Sequence, residues 1–109
     1  MAPVIAAIPE DIIKVEIPDN KVRKKKPLHL LIHAMQMDTI EVSIKNFEKK
    51  IKYKNNYTIP QDSTIDIVLP LKDLKMGIYF LDVKKDSNTL VEAYTVIVSF
   101  LRNKIIKGQ

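Results

Sequence analysis

The sequence predicts an all-β fold, a single sandwich of about seven antiparallel strands. Three observations carry that reading. Seven runs rich in β-branched and apolar residues recur between turn-forming clusters, and no long helical pattern separates them. Several runs alternate apolar and polar residues, as half-buried strands do. The length of 109 residues, 46% of them apolar and 28% charged, suits one hydrophobic core rather than two domains or a disordered chain.

The first run, Ile12 to Ile17, stops at the turn residues Pro18-Asp19-Asn20. A basic segment follows, and then Leu28 to Met35. Leu28, Leu31, Ile32 and Met35 also fit a helical stripe, and the strand reading is preferred. Thr39 to Lys45 has the clearest alternation, with Ile40, Val42 and Ile44 opposed to Glu41, Ser43 and Lys45. Lys49 to Lys54 comes next and is expected to close at Asn55-Asn56. Thr64 to Leu69 sets Ile65, Ile67 and Leu69 on one face and Asp66 with Val68 on the other, and Pro70 ends it. Gly77 to Lys84 and Leu90 to Phe100 form a hairpin across Asp86-Ser87-Asn88. The expected organisation is an apolar N-terminal arm over 1–11, the sandwich over 12–101 and a basic C-terminal tail over 102–109.

The stretch Leu74-Lys75-Met76-Gly77-Ile78-Tyr79 resembles the leucine, glycine and tyrosine approach to the penultimate strand of immunoglobulin-like sandwiches. The resemblance implies that the Tyr79 hydroxyl bonds the backbone of the preceding corner and that Gly77 permits the tight turn into the strand. It extends loosely over Ile12 to Leu101 and concerns the fold alone, because many families with unrelated functions share it. The chain lacks the cysteine pair and the core tryptophan of antibody domains.

Composition removes many kinds of chemistry. Without cysteine there is no disulfide framework, thiolate nucleophile or thiolate zinc site, which suits a reducing cytosol or a hot habitat. Only Gly77 and Gly108 are glycines, too few for a phosphate-binding loop, and the serines form no G-x-S-x-G turn. His29 and His33 would lie about 6 Å apart on a helix and could share a metal. On a strand they lie about 13 Å apart and cannot. Asp62-Ser63-Thr64 and Asp86-Ser87-Asn88 read as turns, not calcium loops. No catalytic residue, metal, cofactor or small-molecule substrate is expected. Met1 to Ile8 lacks the basic region of a secretory signal, and no hydrophobic run approaches the ~20 residues of a membrane span. An intracellular or virion setting is therefore expected, and the sequon Asn56-Tyr57-Thr58 would matter only on export.

Two kinds of surface stand out. On the strand that buries Tyr79, Leu81 and Val83, the opposite face also carries large apolar residues, Ile78 and Phe80, with Ile97 beside them. The outer face of a solvated antiparallel sheet should be polar, so something is expected to cover it. The cover is either the chain itself, through Val4, Ile5 and Ile8 of its arm or through the Ile105-Ile106 tail, or another subunit reached in part by strand addition of that arm. The second surface is basic: Arg23, Lys24, Lys25 and Lys26 ahead of Pro27, and Lys50, Lys52 and Lys54, expected on one strand face opposite Ile51 and Tyr53. The expected function is a non-enzymatic structural or interaction module, a subunit of a homo-oligomer or larger assembly such as a virion, filament or surface complex. The alternative is an accessory nucleic-acid-binding protein that uses these lysines.

Overall fold

The computed structural model of the chain describes residues 13–23, 26–86 and 88–108. They form nine strands, where seven were expected: β1 (Ile13–Glu16), β2 (Lys21–Arg23), β3 (Leu28–Ala34), β4 (Asp38–Asn46), β5 (Ile51–Ile59), β6 (Ser63–Leu69), β7 (Gly77–Lys85), β8 (Thr89–Val98) and β9 (Arg102–Lys107). The one helical piece among the described residues is a 3-10 turn, Leu71–Asp73. All pairings are antiparallel. β1, β3 and β6 make a three-stranded sheet, and β2, β9, β8, β7, β4 and β5, in that order, make a six-stranded one.

The two extra strands come from the basic segments. β2 has a single buried residue, Val22, and β9 occupies most of the expected tail, pairing with both β8 and β2. The chain thus changes sheet at Ile17–Asn20, because β1 pairs with β3 while β2 pairs with β9. β5 runs on through Asn55-Asn56 to Ile59, held in register by β4, so these asparagines do not end it. β3 is a strand, with Leu28, Leu30, Ile32 and Ala34 all fully buried, a period of two that removes the helical alternative.

The core lies between the sheets. Leu30, Ile32, Ile67 and Leu69 from the smaller sheet pack in one cluster with Val42, Ile44, Leu81, Val83 and Val96 from the larger. Tyr79 joins them, and its Oη donates to the carbonyl of Lys75 at 2.7 Å, the corner bond that the Leu74–Tyr79 stretch implied. Gly77, at the start of β7, has φ +152°, a conformation that L side chains rarely adopt. Asn103 of β9 is fully buried, and neither its amide nitrogen nor its oxygen has a partner among the described residues.

Candidate contact surface

Strand β7 alternates strictly: Tyr79, Leu81 and Val83 are buried, so Ile78, Phe80 and Asp82 point outward from the six-stranded sheet. Register then extends the outer face across its neighbours. Phe80 pairs with Thr95 on β8, which pairs with Ile106 on β9, and on the other side Phe80 pairs with Lys45, which pairs with Ile51 on β5. One step along, Ile78 pairs with Ile97 and Ile97 with Lys104. Ile78, Ile106 and Ile51 remain 42%, 45% and 54% exposed. Phe47, from the β4–β5 turn, leans over Phe80 with its ring centroid 6.4 Å away and stays 70% exposed.

The expected contact residues Ile78, Phe80 and Ile97 are therefore neighbours on one face, and Phe47, Ile51 and Ile106 enlarge the stripe. Ile106 was within reach of the sequence had Arg102 to Lys107 been read as a strand. Phe47 had no such signal, since a turn residue has no period. Val4, Ile5 and Ile8 lie outside the described residues.

The polar half of the same face is laid down by β4 and β5. Glu41 Oε2 lies 3.4 Å from Lys54 Nζ, and Ser43 sits between Asp82 and Lys54 in register. Of the lysines expected on one face, Lys54 lies opposite Tyr53 as expected, whereas Lys50 precedes the strand and Lys52 falls in an irregularity of the ladder. A bulge between Ile44 and Lys45 pairs Ile44 with Tyr53 but Lys45 with Ile51, which puts Ile51 and Tyr53 on opposite sides and leaves Lys52 unpaired between them. Tyr53 and Tyr57 lie on the inner side, joined through their hydroxyls at 2.5 Å, and the Tyr57 phenol is pushed up to about 12, chiefly by burial and then by the Tyr53 bond. Arg23 and Lys26 lie near β2, at the opposite edge of the sheet from β5. At about 4.8 Å per strand the two basic segments are roughly 24 Å apart. Lys24 and Lys25 fall outside the described residues.

On the smaller sheet, His29 Nδ1 lies 3.1 Å from the Asp66 carboxylate, and His33 bonds Thr64 Oγ1 at 2.9 Å and approaches Asp62 at 3.2 Å. Each histidine has its own partners, and no group of three or more potential ligands comes together among the described residues. A cleft of about 600 Å³ opens beside His29, lined by Lys21, Arg23 and Lys26 as well as Asp19 and Asp66. Among the described residues no helix is long and apolar enough to cross a membrane.

No protein-family model matches the sequence, and comparison with curated proteins finds no match. Among solved structures, 89% of this chain superposes on 15% of the chain of a β-glucosidase from Kluyveromyces marxianus, determined in complex with glucose, with a TM-score of 0.54 and 17% identity. The chain thus spans about a seventh of that enzyme's length, and a likeness at this identity concerns the fold alone.

Proposed function

We propose that the chain is an immunoglobulin-like β-sandwich that serves as a non-enzymatic interaction module, a subunit of an oligomeric assembly such as a virion, filament or surface complex, contacting a second copy through the outer face of its larger sheet. The observation that carries this reading is the stripe formed by Ile78, Phe80, Ile97 and Ile106 on a face that solvent alone would leave polar. The stripe crosses β7, β8 and β9, which a flat partner sheet can cover. Support for the immunoglobulin-like class comes from the Tyr79–Lys75 corner bond and from the order β1-β3-β6 set against β8-β7-β4-β5. The partial match within a larger enzyme chain fits a fold used as a module. The nucleic-acid alternative gains less, because among the described residues Arg23 and Lys26 lie by one edge strand of the larger sheet and Lys50, Lys52 and Lys54 by the other, too far apart to track one backbone side by side.

The absence of cysteine allows a direct test. In Ile78→Cys, the introduced thiol should label slowly with a bulky maleimide at concentrations where the protein assembles and fast on dilution. In Met35→Cys, at the far end of the fold, the rate should not depend on concentration. Equal rates for the Ile78→Cys thiol at every concentration refute the contact face.

A further inference from the structure

The strands bring a second group of exposed apolar residues together at one end of the molecule, meeting the contact stripe at Phe47. Register places the β4–β5 turn, the connection into β7 and the β8–β9 turn side by side, since Asn46 pairs with Tyr79 and Gly77 with Val98. These three loops carry Phe47, Met76, Phe100 and Leu101, which are 70%, 61%, 73% and 75% exposed and are four of the five most exposed large apolar side chains among the described residues.

The same end gathers the positive charge. Arg23 and Arg102 pair across β2 and β9, Lys49 and Lys50 sit in the β4–β5 turn, Lys72 and Lys75 lie in the connection into β7, and Lys26 precedes β3. The acidic side chains in these described loops are Glu48 and Asp73. Among the described residues none of these cations is engaged in an ion pair. The opposite end has the reverse character: Asp38, Asp62 and Asp86 stand in or beside its turns, and Lys85 is held by Asp38 at 3.4 Å. The molecule is therefore polarised along its strands.

We infer that this basic end docks on an anionic phospholipid bilayer, with Phe100, Leu101, Met76 and Phe47 entering the interface and the surrounding lysines and arginines meeting the headgroups. Apolar tips on separate turns form no pocket for a rigid peptide, whereas a fluid bilayer accepts each tip independently and presents negative charge at the depth of the collar. Lysine stems can lie along apolar surface while their ammonium groups stay in water. The cations span the full width of the sheet, which suits a plane better than a strand-tracking groove. Two weak signals, insertion and charge, act together, as stable peripheral attachment requires. This surface lies past the strand ends and shares only Phe47 with the proposed subunit contact; Met76, Phe100 and Leu101 stand outside that contact.

The test is co-sedimentation of the full chain with phosphatidylcholine vesicles, with and without phosphatidylserine. The protein should bind only the phosphatidylserine vesicles, and added salt should weaken binding without abolishing it. Phe100→Ser with Leu101→Ser should lower the partition coefficient by about a hundredfold or more. Lys49→Glu with Lys50→Glu should lower it by at least about fivefold per lysine. Met37→Ser, an equally exposed residue at the acidic end, should leave it unchanged. All of these are exposed loop positions, and thermal melts confirm the fold of each variant. Since the chain has no tryptophan, Phe100→Trp adds a reporter whose emission should shift to the blue only on phosphatidylserine vesicles. Absence of binding overturns the inference, and so does wild-type binding by the Phe100/Leu101 variant. Selective capture of a single-stranded oligonucleotide in place of vesicles also overturns it.

Discussion

Replacing Tyr79 by phenylalanine removes one oxygen and leaves the ring in place, so the change isolates the corner hydrogen bond. Tyr79 is 5% exposed and its ring packs in the core, so no cavity opens. The lost bond, 2.7 Å to the Lys75 carbonyl, has a net worth of about 0.5–1.5 kcal/mol. Lys75 lies in an exposed connection, so its carbonyl can turn to water, which keeps the cost near 1 kcal/mol rather than the ~3 kcal/mol of a stranded buried acceptor. For a domain of this size that corresponds to a fall in melting temperature of roughly 4–8 °C. Urea unfolding followed by circular dichroism measures it, with an unchanged m-value showing that the folded and unfolded states keep their compactness. A Tyr79→Phe protein as stable as the parent would refute the assignment of the corner bond as a structural tie. A loss above ~3 kcal/mol would mean that the Lys75 carbonyl is not free to rehydrate.

Three further changes test other points of the fold. Asn103→Val should stabilise the fold by about 1 kcal/mol, because both amide atoms are buried without partners among the described residues and a β-branched residue suits the strand; a lower urea midpoint would show that Asn103 does have partners. Gly77→Ala should cost about 1–2 kcal/mol through its φ of +152° alone, since the new methyl meets only Tyr79 Cε1 at 3.9 Å; an unchanged melting temperature would contradict the strained backbone. Burial raises the Tyr94 and Tyr57 phenols from 10.0 to about 12. The neutral forms are favoured in the folded state, so this stability is fully present below pH ~10 and lost as pH rises to ~12. Tyr94→Phe should flatten that alkaline limb, and a limb unchanged by the substitution would assign it to other groups.

The legible parts of the fold are those in which burial and period coincide. β4 alternates Ile40, Val42 and Ile44 with polar residues in sequence, β7 buries Tyr79, Leu81 and Val83 at a period of two, and the residues of the Tyr79–Lys75 bond lie within six consecutive positions. β2 was not legible because three residues around Val22 cannot display a period. β9 was hidden because its inward positions are Asn103 and Ile105 while Ile106 faces out, which blurs the pattern under its charges. β5 was cut short because paired asparagines usually mark a turn, and here the ladder with β4 overrides that preference. The bulge in the same ladder moved Ile51 to the face opposite Tyr53 and left Lys52 without a register partner. No sequence pattern marks such a slip, since it is fixed by how two strands fit. The contact stripe was readable at Ile78, Phe80 and Ile97 because they oppose an obvious core face. Gathering Phe47, Met76, Phe100 and Leu101 at one end required the topology.

The central claim is that the outer face of the larger sheet joins one copy to another. Light scattering of the purified chain at low and high salt, beside Phe80→Asp, tests it most directly. The proposed contact gives a mass above the 12.5 kDa of one chain that survives high salt, and a folded monomer for the variant. A parent that is monomeric at both salts, or a variant that keeps the parent's oligomeric mass, would contradict it.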